Sequence, residues 1–178
     1  MDVVPNGNVP ASIRIEAVGP SDLAILVNLC AEHAHYERAA FDPAGKAELL
    51  VAALFSNPAR LRAWIAWNGD QALGYASASR EFSTWSARNY LHLDCLFLRE
   101  AARGRGIGTA LLRTAIGAAS AEGLCELQWQ TPDWNEPAIR FYRRLGADAK
   151  AKLRFTLALE EDYSSLRPSS PITLGVPT

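Results

Sequence analysis

The sequence predicts an α/β protein, a mixed β-sheet with helices on its faces, and three observations carry that prediction. Apolar residues recur with the strand period in six short segments and with the helical period in four, in the order βααβββαβαβ. The three central strand segments follow one another directly, the first two joined at Asn68-Gly69, which dictates an antiparallel meander. After them strands alternate with helices, a pattern that makes successive strands parallel and lays the connecting helices on the sheet. With 178 residues, 49% of them hydrophobic, the chain is long enough for one buried core and short for two. The expectation is therefore a single domain over 1–178, with its core at about residues 12–160, a flexible leader at 1–11 and a Ser/Pro/Thr-rich tail at 164–178.

Each element has a local reason. Residues 13–18 alternate Ile13 and Ile15 with Arg14 and Glu16, the period of a strand with one buried face. Ser21 is placed to cap a first helix carrying Leu23, Leu26, Val27, Cys30 and Ala34 on one side. Asp42-Pro43 starts a second helix, because proline at the first helical position forfeits no hydrogen bond, and Asn57-Pro58 stops it. Residues 61–67 and 72–79 form the hairpin, and residues 90–98 form a third strand that is apolar apart from His92 and Asp94. A long helix from about Gly106 to Glu122 aligns Ile107, Leu111, Ala115 and Ala118 and ends at Gly123. Residues 124–130 read as a strand. Asn135 caps a short helix with Pro137 near its start and Gly146 at its end, and residues 153–159 close the sheet.

Charge narrows the function classes. Eighteen Lys and Arg against nineteen Asp and Glu leave a net charge of −1, so no bulk field favours nucleic acid or a membrane surface. No apolar run reaches the roughly 18 residues of a membrane span, and the amino terminus lacks a cationic segment followed by an apolar one. Cys30, Cys95 and Cys125 are odd in number, far apart and without metal-type spacing, and His33 and His35, two residues apart on a helix, point away from each other. No metal is expected, and reduced thiols suit a cytoplasmic protein. The arginines are uneven: Arg99, Arg103, Arg105 and Arg113 gather near one loop and Arg140, Arg143 and Arg144 further on, which fits a local polyanion site on a neutral protein.

That loop, Arg103-Gly104-Arg105-Gly106-Ile107-Gly108, joins a strand to the long helix. Glycines there let backbone N–H groups approach an anion, and a helix N-terminus adds roughly half a positive charge. The spacing is neither the dinucleotide Gly-x-Gly-x-x-Gly nor the Walker pattern. It resembles the Arg/Gln-x-x-Gly-x-Gly/Ala acyl-coenzyme A loop of the GNAT N-acetyltransferases. One strand later, Asp133-Trp134-Asn135-Glu136-Pro137-Ala138-Ile139-Arg140-Phe141-Tyr142-Arg143-Arg144-Leu145-Gly146-Ala147 resembles the Asn-x-x-Ala/Ser-x-x-Phe-Tyr-x-x-x-Gly-Phe/Ala segment of the same family. Tyr36-Glu37, Phe82-Ser83-Thr84-Trp85, Leu91 to Leu98 and Trp134-Asn135-Glu136-Pro137 are similar to the diamine (spermidine/spermine) acetyltransferase-like subgroup, a likeness spanning about residues 12–160. One departure stands out: the polyamine enzymes carry Glu-Asp where this chain has Asp94-Cys95.

The resemblance implies the GNAT fold, acetyl-CoA as donor and a small-molecule primary amine as acceptor, attacked directly in a ternary complex. It implies a homodimer, with no nucleic-acid or membrane partner. Backbone N–H groups of Arg103, Gly104, Arg105, Gly106, Ile107, Gly108 and Thr109 hold the pyrophosphate, and a Cβ at Gly106 or Gly108 would keep it away. Leu96, Phe97 and Leu98 pair with the pantetheine arm, one main-chain N–H polarising the thioester. Asn135, Pro137 and Ala138 flank the coenzyme, and the Tyr142 phenol protonates the departing thiolate. An alkyl amine has a pKa near ~10, so about one molecule in a thousand is neutral at pH 7 and a proton acceptor is needed. Asp94 is the candidate, alone among apolar neighbours and matching the family's central-strand Glu, directly or through water; a backbone-bonded Asp at a strand irregularity is the other reading. Strand alternation puts Cys95 opposite Asp94, in the core. Tyr36, Glu37 and Trp85 would bind the amine by cation–π contact and ion pairing. A protein N-terminus or lysine as acceptor, and a catalytically silent acyl-CoA-binding module, remain open.

Overall fold

The computed structural model describes residues 9–157. Its elements are β1 (Ile13–Ala17), α1 (Leu23–Tyr36), α2 (Lys46–Leu54), β2 (Arg62–Asn68), β3 (Gln71–Ser83), β4 (Arg88–Leu98), α3 (Ile107–Ala121), β5 (Leu127–Gln128) and α4 (Glu136–Arg144). The five strands form one sheet in the order β1-β2-β3-β4-β5. β1 to β4 run antiparallel, and β5 lies parallel to β4 after the α3 crossover.

The sheet is apolar on both faces because each is covered. On one face α3 inserts Ile107, Leu111, Leu112, Ala115 and Ala119 against Trp64, Ala66, Leu73, Leu91 and Leu93. On the other, Leu26 and Leu29 of α1 meet Ile65, Trp67, Tyr75 and Phe97. Adjacent β2 residues alternate between the two clusters, as the strand period requires. Each fully buried Leu or Ile stabilises the fold by about 1.5–3 kcal/mol relative to an exposed one, so these two layers hold the sheet as a rigid platform.

Local starts differ from the sequence expectation where a turn competes with a helix. Pro20–Asp22 forms a 3-10 turn in which the Asp22 carboxylate accepts from the Gly19 N–H at 2.8 Å, so α1 begins at Leu23 and Ser21 is not its cap. Likewise the Asp42 carboxylate accepts from the Ala44 N–H at 2.9 Å, an Asx turn that delays α2 to Lys46. The strand expected at 124–130 shortens to Leu127–Gln128.

Chain contacts separate residues 1–147 from residues 148–178. In the second unit residues 148–157 form no helix or strand, and Leu153, Phe155 and Leu157 are exposed. The strand expected at 153–159 is therefore absent over 153–157, and 158–159 lie outside the described residues. Alternating apolar residues supply a strand's period, whereas a strand also needs a hydrogen-bonding edge beside it. Most of the leader, residues 1–8, and the whole tail at 164–178 lie outside the described residues. No helix among the described residues is long and apolar enough to cross a membrane.

Candidate active site

The cleft exists because β4 and β5 part company. They pair only at Leu91 with Leu127 and His92 with Gln128, so among the described residues the second half of β4 has no strand neighbour on that side. A cavity of about 420 Å³ opens there, walled by Asp94, Leu96 and Leu98 of β4 and by Gln130 and Thr131 after β5. His33, Tyr36 and Glu37 from the end of α1, the glycine loop, and Pro137, Ala138, Phe141 and Tyr142 of α4 complete it. It lies beyond the carboxyl ends of the parallel pair, where open α/β sheets leave room for ligands.

A β-bulge aims the chemistry into this space. Ser77 pairs with Cys95 but the next residue, Ala78, pairs with Leu93, which leaves Asp94 as the extra residue of β4. Side chains before and after the bulge consequently change faces: Leu91, Leu93, Leu96 and Leu98 pack with α3, while Cys95 and Phe97 pack with α1. Simple alternation, which puts Cys95 opposite Asp94, is thus overturned. The two are neighbours on one face, and the Cys95 Sγ–H donates to Asp94 Oδ2 at 3.6 Å. Cys95 is no activated nucleophile, since burial pushes its thiol up to about 12, followed by the Asp94 charge. Asp94 is solvent-accessible and lines the cleft, so its carboxylate avoids the penalty of burial among apolar neighbours.

At the loop, Gly104 and Gly106 have φ of 74° and 77°, the left-handed region that L side chains rarely enter. That conformation turns the chain sharply from β4 into α3. The N–H groups of Ile107, Gly108 and Thr109, in the first turn of α3, have no partner within the helix. With the positive end of the α3 dipole, Arg103 and Arg144 also on the cleft wall, this is a cradle suited to a diphosphate, and it fits an acyl-CoA. A Cβ at Gly108 would lie 3.5 Å from Phe141 Cζ, ordinary contact with the protein's own atoms, so nothing in the chain itself forbids a side chain there. The Ile107 side chain is core, leaving only its backbone to the site, and Arg105 is exposed and does not line the cleft. The arginine cluster also disperses: Arg99 is held by Glu32 at 2.8 and 2.7 Å, and Arg140 pairs with Glu136 at 3.4 Å.

The end of α1 closes the mouth of the cleft. The Arg103 guanidinium lies 4.5 Å over the Tyr36 ring while its Nε donates to the Leu98 carbonyl at 3.0 Å. The Tyr36 hydroxyl donates to Asn135 Oδ1 at 3.3 Å, and the same oxygen accepts the Ala138 N–H at 3.3 Å as the α4 cap. Asn135, buried, therefore fastens α4 to α1. A face of Tyr36, expected to receive a substrate cation, is covered by the protein's own arginine. Glu37 remains in the cleft, 3.3 Å from His33 Nε2. Trp85 is not brought to this cleft: it is 97% exposed in the β3–β4 turn and lies outside the cleft wall.

Tyr142 projects from α4 with its ring centroid 4.9 Å from Trp129. Burial, then the Glu37 charge, pushes its phenol well above the ordinary tyrosine value, so it carries a proton throughout the neutral range. His33, Gln130, Thr131 and Phe141 are cleft residues that sequence reasoning left out, and of the second arginine group only Arg144 reaches the cleft wall. Only His33 had a readable signal, its i,i+4 spacing to Glu37 on a helix. Among the described residues no group of three His, Cys, Asp or Glu side chains is placed to hold a metal ion.

Comparison with known proteins agrees with this geometry. The family model described as Acetyltransferase (GNAT) family matches residues 26–147. The mouse thialysine N-epsilon-acetyltransferase is 27% identical over 145 residues, covering 77% of this chain and 85% of that protein. Its Caenorhabditis elegans namesake is 28% identical over 131 residues, covering 74% and 80%. Among solved structures, an aminoglycoside acetyltransferase from an uncultured soil metagenomic sample superposes with a TM-score of 0.74 at 17% identity, over 85% of this chain and 99% of that one, a likeness of fold. The chain belongs to the GNAT acetyltransferases, enzymes that move the acetyl group of acetyl-CoA to an amine.

Proposed function

We propose that this enzyme acetylates a primary amine of a small molecule, of the diamine or amino-acid-like kind, by direct attack in a ternary complex. The observation that carries the reading is that Asp94 and Tyr142 line the same cleft as the glycine loop. The activities of similar proteins, thialysine N-epsilon-acetyltransferase in mouse and L-ornithine N5-acetyltransferase in Arabidopsis thaliana, 30% identical over 74 residues and covering 42% of this chain and 32% of that protein, point to acceptors with a terminal amine on a short chain. Acetyl-CoA, when bound, supplies an electrophilic carbonyl and a thiolate leaving group.

The chain's own residues do the rest. Residues 103–109 and the α3 N-terminus bind the diphosphate, with Leu96, Phe97, Leu98, Asn135, Pro137 and Ala138 along the arm. Asp94 takes the ammonium proton, through a water given the short reach of an aspartate, so that the amine nitrogen is neutral. Tyr142 holds a proton at Oη for the leaving thiolate, and Glu37 pairs with a cationic group of the acceptor. A silent acyl-CoA-binding module would need neither Asp94 nor Tyr142. The reading includes a single-domain, cytoplasmic homodimer: all three cysteines are free thiols, in keeping with a reducing compartment, and light scattering would report the dimer. Release of free coenzyme A, followed with a thiol reagent across thialysine, ornithine, diamines, polyamines, aminoglycosides and an amino-terminal peptide, tests the acceptor class. Turnover with the peptide alone would overturn it.

A further inference from the structure

One ionisable group in the cleft, His33, has no part in the acetyl transfer itself. His33 lines the cavity from α1, its ring stacked on Phe97 at 5.1 Å with an interplanar angle of 22°. Nδ1 lies 3.2 Å from the Tyr75 hydroxyl and Nε2 lies 3.3 Å from Glu37 Oε1. The imidazole is thus held at both nitrogens and across its face, with a side-chain exposure of 14% against 36% for Glu37.

Tyr75 decides which nitrogen carries the proton. It is buried, and desolvation raises its phenol far above the ordinary value, so it keeps its hydrogen. The other polar groups at that hydroxyl, Cys30 and Cys95, are thiols whose own protons burial retains, which makes them poor acceptors. The Tyr75 O–H therefore donates to Nδ1, and a neutral His33 must donate from Nε2 to the Glu37 carboxylate.

We propose that His33 is a positioning residue for the acceptor: Tyr75 sets its tautomer, and its Nε2–H holds the Glu37 carboxylate in the cleft as the partner of a second cationic group on the amine substrate. Protonating His33 would place a cation in direct competition with that group. The charged groups facing the ring are Glu37 from α1, Asp94 from β4 and Arg103 from the loop, with Tyr75 from β3 and the Cys30 and Cys95 thiols behind it. Burial lowers the His33 pKa from its ordinary value despite the two carboxylates, so the neutral form prevails at pH 7 and is lost only as pH falls below about 6.5.

The inference rests on the amine-acetyltransferase reading, and its test separates the two. Coenzyme A release would be measured with 1,5-diaminopentane and with 1-aminopentane, equal in length and differing in one charge, from pH 5.5 to 8.5. Their kcat/KM ratio cancels the common protonation of the attacking amine. The ratio is expected to exceed about 10 at pH 8 and to fall as pH drops below 6.5. His33→Leu should lower the pH 8 ratio about 10-fold, mainly through KM of the diamine. His33→Gln, which keeps an N–H donor, should restore it without the pH dependence. A wild-type ratio near 1 at every pH, or equal ratios in the Leu and Gln variants, overturns the proposal. Should either variant fail to fold, ¹⁵N correlation spectra of the unaltered protein decide it: an Nε2–H tautomer at pH 7.5 supports it and an Nδ1–H tautomer overturns it. Absence of coenzyme A release with any amine would instead sink the acetyltransferase reading, and the tautomer would still be read.

Discussion

Replacing Tyr142 by phenylalanine removes one oxygen and leaves the ring in place between Trp129 at 4.9 Å and Phe141 at 5.1 Å. The packing is conserved, so stability should change by less than about 1 kcal/mol. What disappears is the proton that burial holds on the phenol. General acid catalysis contributes about 10²–10⁴-fold, which at 1.36 kcal/mol per tenfold is about 3–5 kcal/mol of barrier. A kcat 10²-fold lower or worse is therefore expected, with the coenzyme affinity by calorimetry within about 3-fold of wild type. The raised pKa also fixes the pH dependence: deprotonation begins above the ordinary value near 10, so Tyr142 gives the wild-type profile no descending limb below that pH. Tyr142→Phe should lower the thiol-release rate by the same factor at pH 7 and pH 9. A drop under 3-fold, or a parallel loss of coenzyme affinity and kcat, would refute Tyr142 as the proton donor.

Other substitutions probe the frame around it. Gly106→Ala forces a Cβ into φ 77° at the N-cap of α3 and should destabilise by about 1–2 kcal/mol while raising KM for acetyl-CoA at least 10-fold, read by denaturant melts and initial rates. Gly74→Ala is a packing test, since its Cβ would overlap the Phe97 carbonyl oxygen and the Leu98 backbone across the β3–β4 pair; a loss of more than about 2 kcal/mol in urea melts is expected. The bidentate Arg99–Glu32 pair ties the chain just after β4 to α1 and holds the Glu32 carboxyl below its usual range. A depressed carboxyl stabilises the fold above its unfolded value near 4.5 and loses that contribution as pH falls through the folded value. Both side chains are more than a third exposed, so Glu32→Gln should cost less than about 1 kcal/mol at pH 7, and wild type and variant should converge as pH falls through the lowered Glu32 value in the same melts.

Periodicity identified the sheet and its helices well wherever an element was long and backed by the core. The α3 stripe of Ile107, Leu111 and Ala115, and the hairpin around Asn68-Gly69, needed nothing beyond sequence spacing. It was weaker where local side chains compete with a helix, as Asp22 and Asp42 do, because a turn closed by an aspartate carboxylate and a helix start draw on the same residue types. It failed at residues 153–157, where Leu153, Phe155 and Leu157 alternate without forming a strand.

The glycine loop and the α4 segment with Asn135 and Tyr142 were determined by the sequence alone, since left-handed glycines, a helix N-terminus and an Asn cap act within a few residues of themselves. Only the tertiary structure decided which side chains share the cleft. A one-residue bulge turned Cys95 to the same face as Asp94, Arg103 covered Tyr36, Trp85 was left at the tip of its hairpin, and a helical histidine came to lie between Tyr75 and Glu37. Those outcomes depend on register and on contacts between residues distant in the chain, such as the 42 positions separating His33 from Tyr75, and no local pattern encodes them.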